Sequence, residues 1–199
     1  MARTGALQIL DLVLDAGSFR SWDGAPVRST QVDSVPGNAA ALERAARSSG
    51  VDEAVITGEG TLRGRRVVFI ACEFDFLAGS IGIAAAERIV SAIERATAER
   101  LPVLASPTSG GTRMQEGTIA FLQMVKISGA VAGHKSAGLP YLVCLRHPTT
   151  GGVFASWGSL GHVSVAEPGA LIGFLGPRVY EALYQAPFPE GVPVSENLA

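Results

Sequence analysis

The stretch Val103-Leu104-Ala105-Ser106-Pro107-Thr108-Ser109-Gly110-Gly111-Thr112-Arg113-Met114-Gln115-Glu116-Gly117 decides the fold class. It starts as a short apolar strand over 103–106, passes through paired glycines and opens a helical run over 113–134. The same succession recurs downstream. An apolar strand over 141–145 leads to His147-Pro148-Thr149-Thr150-Gly151-Gly152-Val153-Phe154-Ala155-Ser156, with a helix beginning near Gly152. Upstream, an apolar strand over 65–72 leads through Phe76-Leu77-Ala78-Gly79-Ser80-Ile81-Gly82 into a helix over 83–100. In that helix Ile89, Val90, Ile93 and Ala96 share one face, while Glu87, Arg88, Glu94, Arg95 and Glu99 lie elsewhere. Strands alternating with helices of useful length predict an α/β domain with a largely parallel sheet and crossover helices.

Further elements extend this pattern at both ends. A strand over 53–57 is predicted to precede the one over 65–72, with a turn at Gly58-Glu59-Gly60. Strand-like pieces over 163–166 and 170–174 lead to a last helix over 177–184. Residues 1–50 read as a helical and turn-rich arm. It has an apolar helical stretch over 7–14, a turn-rich segment over 17–36, and an Ala-rich helix over 38–47 with Gly50 as its stop. Phe19 and Trp22 are placed either to pack on the main domain or to meet a partner. Residues 51–199 make the α/β domain.

Composition narrows the function classes. The chain has 199 residues, 47% of them hydrophobic and 17% charged, with a formal charge of −2. That material suffices for a substantial core and excludes disorder along the whole chain. The charge balance points to neither nucleic acid nor an anionic membrane. Cys72 and Cys144 are too few for a disulfide framework or a four-thiolate zinc site, and both are expected as buried apolar residues. No apolar run approaches the ~20 residues that span a bilayer. Met1-Ala2-Arg3-Thr4 does not open a signal-peptide pattern, so a cytoplasmic protein is expected. Glycine is the outlying count: 24 residues, clustered where strands turn into helices.

A strand that ends in paired glycines and opens a helix leaves unpaired N–H groups at the positive end of the helix dipole. Two such junctions, Gly110-Gly111 and Gly151-Gly152, suggest N–H donors converging on one developing negative charge, as in an oxyanion hole. Ordinary turns at these positions, and close helix–strand packing at Gly79 and Gly82, are the alternatives. Nucleotide-binding glycine patterns are absent from the junctions. Ser109 lies outside any Gly-x-Ser-x-Gly elbow, and nothing pairs His134, His147 or His162 with a serine and a carboxylate. Histidine and cysteine spacing matches no metal site. Glu116 suits a helix start, whereas Arg113 opposes the dipole there, which favours a binding role for it.

Taken together, Glu73-Phe74-Asp75-Phe76-Leu77-Ala78-Gly79-Ser80-Ile81-Gly82, residues 109–117, residues 148–156 and Ala166-Glu167-Pro168-Gly169-Ala170-Leu171-Ile172-Gly173-Phe174-Leu175-Gly176-Pro177-Arg178-Val179 resemble the β-type carboxyltransferase subunit of acetyl-CoA carboxylase. The resemblance covers about residues 52–198. Its finer texture is similar to the actinobacterial form, in which β-type and α-type halves share one longer chain. It implies a crotonase-like (ClpP/crotonase) fold of repeated ββα units. It also implies transfer of a carboxyl group from carboxybiotin, on a carrier protein, to the α-carbon of acetyl-CoA or a short acyl-CoA, giving malonyl-CoA in fatty acid biosynthesis. In the usual proposal carboxybiotin releases carbon dioxide, the biotin anion takes the α-proton and the enolate captures the carbon dioxide. Such chemistry needs oxyanion stabilisation more than a side-chain base.

On this resemblance, N–H groups of the pairs Gly110-Gly111 and Gly151-Gly152 serve the enolate oxygen, and the sequence leaves open which N–H of each pair donates. Ala78, Gly79 and Ser80 line the approach of CoA, with Arg113 a further substrate contact. The implied partners are an α-type carboxyltransferase half, biotin carboxyl carrier protein and biotin carboxylase, in a homo- or hetero-oligomer. No four-cysteine ribbon is present, so no zinc is expected. The family continues beyond residue 198, so the domain is expected to be truncated at its C-terminal end and to need the α-type half for activity. Two other functions stay open: a malonyl-thioester decarboxylase subunit, which would not need biotin, and a non-catalytic scaffold of a carboxylase complex.

Overall fold

The computed structural model describes residues 3–27 and 35–198. Helix α1 (Ala6–Val13), strand β1 (Arg20–Ser21) and helix α2 (Asn38–Ser49) come first. A hairpin of β2 (Val55–Leu62) and β3 (Arg65–Cys72) follows, then α3 (Ile83–Ala98), β4 (Val103–Ser106), α4 (Gly117–Ser136) and β5 (Tyr141–Leu145). Next are β6 (Thr149–Thr150) and a short helix α5 (Gly151–Val153) that widens into a π-helical turn (Phe154–Gly158). Strands β7 (Val163–Ala166) and β8 (Ile172–Gly173) and helix α6 (Pro177–Tyr184) complete the series. The main sheet runs β1-β2-β3-β4-β5-β7, and β6 pairs with β8 separately. Pairs β1/β2 and β2/β3 are antiparallel, whereas β3, β4, β5 and β7 run parallel. The parallel sheet expected from sequence thus carries an antiparallel hairpin at one edge.

Alternation along β3 sets the layers, since successive residues face opposite sides of a strand. Val68, Ile70 and Cys72 share a core with Ile89 and Ile93 of α3 and Ile127 of α4. Val67, Phe69 and Ala71 face the other way and pack with Ala6, Leu10 and Leu14. The opening helix therefore forms a layer on the sheet; burying Leu10 and Leu14 contributes roughly 1.5–3 kcal/mol each. The Glu73 carboxylate accepts the Ala6 N–H at 2.8 Å, fixing the positive end of α1 to the end of β3. Phe19 packs in this layer, and Trp22 packs on the main core beneath the Arg95 guanidinium, 3.9 Å from the ring centroid. Both aromatic residues thus pack on the domain.

Several expectations are corrected. The turn between β2 and β3 is Arg63-Gly64, both with positive φ, and Gly58 and Gly60 lie inside β2. These glycines serve close approach: a Cβ at Gly58 would lie 2.6 Å from the Phe19 ring, and one at Gly60 2.7 Å from Leu14 Cδ1. Arg88, placed off the apolar face of its helix, is nevertheless buried, because Asp52 (2.8 and 2.9 Å), Gly24 O (2.7 Å) and Val55 O (3.1 Å) converge on its guanidinium. Cys144 is half-buried, unlike Cys72. The helix expected from 113 begins at Gly117 after a 3-10 turn (Met114–Glu116), and the piece over 170–174 contracts to β8. Residues 28–34 of the turn-rich segment lie outside the described residues.

Candidate active site

The loops that follow β3, β4 and β5 meet at the carboxyl ends of these parallel strands. Ser109 and Thr149 form a parallel bridge: the Ser109 N–H donates to Pro148 O at 2.6 Å, and the Thr150 N–H to Ser109 O at 3.0 Å. This register brings the two glycine pairs together. A Cβ on Gly151 would lie 3.4 Å from Gly111 Cα, and a Cβ on Gly111 would lie 3.8 Å from Gly151 Cα and 3.9 Å from Gly152 N. Gly111 (φ +118°) and Gly151 (φ +65°) both adopt backbone conformations that L side chains rarely take.

The N–H groups of the four glycines differ in availability. Gly110 N–H donates to Ala78 O at 3.0 Å, Gly111 N–H to Ser109 Oγ at 3.0 Å, and Gly151 N–H to Phe174 O at 3.1 Å. Among the described residues the Gly152 N–H has no acceptor, nor does that of Ala78. Leu77 (φ +46°) and Ala78 (φ +56°) are consecutive non-glycine residues with left-handed backbone, a costly conformation that the surrounding contacts hold in place. Nothing in the sequence marked these two residues as strained.

Gly79 and Gly82 allow close packing. A Cβ at Gly79 would lie 3.2 Å from Ser109 Cα, and one at Gly82 2.6 Å from Glu116 Cδ. Ser80 is half-buried beside them, and its N–H donates to Leu77 O at 3.2 Å. Arg113 occupies a different environment from the ligand contact expected of it. It is only 1% exposed, and its guanidinium is held by Glu53 and Glu116. Glu53, 60 residues away in sequence, was not singled out in the sequence because no local pattern links it to Arg113. The histidines have backbone partners: His147 Nδ1 accepts the Leu171 N–H at 3.0 Å, and His162 Nδ1 that of Tyr141 at 3.1 Å. His134 lies 3.2 Å from Pro140 O through Nε2.

One hairpin-and-helix unit, continued by parallel strands whose carboxyl ends carry glycine junctions leading into helices, makes this a crotonase-like fold. Transcarboxylase 12S, solved as a hexamer with hydrolyzed methylmalonyl-coenzyme A bound, shares it with a TM-score of 0.80 and 26% identity over 96% of this chain and 35% of that one. Residues 3–189 match the family described as the carboxyl transferase domain, and the chain belongs to that family. It is 67% identical over its whole length to a probable biotin-dependent acyl-coenzyme A carboxylase beta3 subunit of Mycobacterium tuberculosis (strain ATCC 25618 / H37Rv), of which it spans 39%. Over 98% of its length it is 43% identical to the acetyl-coenzyme A carboxylase carboxyl transferase subunit beta of Desulforamulus reducens, of which it spans 68%. No helix among the described residues is long and apolar enough to cross a membrane.

Proposed function

We propose that this chain is the β-type, acyl-CoA-binding part of a biotin-dependent carboxyltransferase acting on acetyl-CoA or a short acyl-CoA. The observation that carries the reading is the abutment of Gly111 and Gly151 beside the unpaired Gly152 N–H. The two facing backbones carry no side chains, so no Cβ of Gly111 or Gly151 stands beside the Gly152 N–H where a thioester carbonyl would bind. The Gly152 N–H then donates to its oxygen, and the bond strengthens as charge develops there during enolisation. Gly111 N–H joins it when Ser109 Oγ is exchanged for the substrate oxygen, while Gly110 and Gly151 spend their N–H groups on holding the two junctions. Ala78, Gly79 and Ser80 border the same loop and line the approach of CoA. Carboxybiotin, delivered on a carrier protein, supplies the carboxyl group.

Met114 (81% exposed), Phe121 (61%) and Val125 (69%) give the start of α4 an apolar surface next to this site. We assign that surface to the α-type half, which would complete the active site. Biotin carboxylase and the carrier protein are the further partners of this reading.

The test is malonyl-CoA decarboxylation with and without a biotin derivative, on this chain alone and with an α-type half added. Biotin-dependent turnover that appears only with the partner is the expected result. Turnover without biotin would assign the chain to a decarboxylase. Failure to bind acyl-CoA in every mixture would leave a scaffold.

A further inference from the structure

Four successive carbonyls of one active-site loop each accept a hydrogen bond from the next loop. Gly110 N–H donates to Ala78 O (3.0 Å), the Ser109 hydroxyl to Gly79 O (2.6 Å), Arg113 Nη2 to Ser80 O (2.9 Å) and the Arg113 N–H to Ile81 O (2.9 Å). In return the Ile81 N–H donates to Gly111 O at 3.0 Å. Arg113 supplies two of the four donors, one from its backbone and one from its side chain. It therefore clamps the 77–81 loop on both sides of the bond that orients Gly111.

The guanidinium is itself braced. Nη1 lies 3.0 Å from Glu53 Oε2 and 3.2 Å from Glu116 Oε1, and Nη2 bonds Glu53 Oε1. Glu53 Oε1 accepts the Ala54 N–H at 2.7 Å, and Glu116 Oε2 accepts the Ile83 N–H at 2.7 Å, at the start of α3. One cation thus faces two buried carboxylates, and the surplus negative charge rests on the positive end of a 16-residue helix. Burial alone would weaken the guanidinium's charge, but Glu53 and Glu116 more than offset this and raise its pKa above the ordinary value. A planar fork is required: an ammonium group cannot hold Glu53 through two nitrogens and also reach Glu116 and Ser80 O.

Building on the function proposed above, we infer that Arg113, braced by Glu53 and Glu116, is a positioning residue that sets the backbone of Gly111 against Gly151. It touches no substrate and acts through the 77–81 loop. Its buried charge is weak evidence for a role in stability, whereas its bonds run to the loop that carries the glycine pair.

The experiment compares Arg113→Lys and Glu116→Gln with the unaltered chain in the complete carboxyltransferase assembly. Glu116→Gln keeps an acceptor for Ile83 N–H and serves should Arg113→Lys not fold. The expected result is a fall in kcat of roughly 100-fold for Arg113→Lys, with KM for acyl-CoA little changed. Carbonyl-labelled acetyl-CoA bound to the unaltered assembly should show a lowered infrared carbonyl frequency, and the variants should lose that shift. Amide hydrogen exchange over residues 77–83 and 109–113 should quicken in both variants and nowhere else. Unchanged kcat and carbonyl frequency in variants of an active assembly would overturn the positioning role. An unaltered assembly that neither turns over nor shifts the carbonyl would instead overturn the functional reading. Hydrogen exchange then decides the inference alone: local quickening upholds the setting of Gly111, and unchanged exchange overturns it.

Discussion

Gly111 and Gly151 face each other so closely that a Cβ on Gly151 would sit 3.4 Å from Gly111 Cα. Two junctions 40 residues apart are held backbone to backbone by the Ser109–Thr149 bridge. Gly151→Ala places a methyl group in this gap and forces an L residue to φ +65°, at about 1–2 kcal/mol. The variant should lose about 2–8 °C of thermal midpoint, at about 2–4 °C per kcal/mol for a chain of this size. Its turnover should fall far more, by roughly 100-fold or beyond. Calorimetry and steady-state rates on the same preparation separate the two effects, and an active, cooler-melting variant would remove the gap from the mechanism.

Arg113→Met removes the cation and leaves Glu53 and Glu116 buried without it. Breaking a buried pair in this way costs about 3–5 kcal/mol, so the thermal midpoint should drop by roughly 10 °C. The double variant with Glu53→Leu should recover part of that loss, because one of the two stranded carboxylates goes with it. A midpoint unchanged in Arg113→Met would show that the carboxylates do not depend on the guanidinium.

Legibility in the sequence followed the reach of the interactions. Strands β4, β5 and β7 and helix α6 were readable because a local apolar run, a proline or a glycine fixes each end within a few residues. The glycine pairs were readable as facing junctions because each follows a buried strand of one parallel sheet. The end of β2 was not, since Gly58 and Gly60 answer to Phe19 and Leu14 from the opening segment rather than to a turn. Arg88 looks like a charge off the apolar face of its helix, and Arg113 like a ligand-binding charge, until Asp52 and Glu53 arrive from 36 and 60 residues away. The left-handed backbone at Leu77 and Ala78 has no compositional signal, because neither residue type favours it.

His134 is fully buried, with Nδ1 2.8 Å from Thr97 Oγ1 and Nε2 3.2 Å from Pro140 O. Burial pushes its imidazole below the ordinary 6.5. The folded state therefore binds the proton less readily than the unfolded state does. Its contribution to stability is complete above about pH 6.5 and is lost progressively as pH falls from there toward the depressed folded value. Thermal midpoints should decline between pH 7.5 and pH 5, and His134→Gln should flatten that decline. Equal slopes in the two proteins would assign the acid sensitivity to other groups.

Helix α4 is apolar on both sides. Ala120, Met124, Ile127 and Val131 enter the core, while Phe121, Leu122 and Val125 face outward with Met114 just before them. Scattered exposed apolar residues are ordinary on protein surfaces, but a contiguous group beside a candidate active site marks an interaction surface. Phe121→Glu places a charge in the middle of this group. A surface change of this kind should alter stability by no more than about 0.5 kcal/mol. At an interface the same carboxylate would be buried without a partner, so affinity for an α-type half should weaken by roughly tenfold or more. Titration calorimetry with that half, together with a thermal melt of the variant alone, measures both quantities. Unchanged affinity would move the partner to another face of the molecule, whereas a weakened complex from an equally stable chain would place an α-type half over the start of α4.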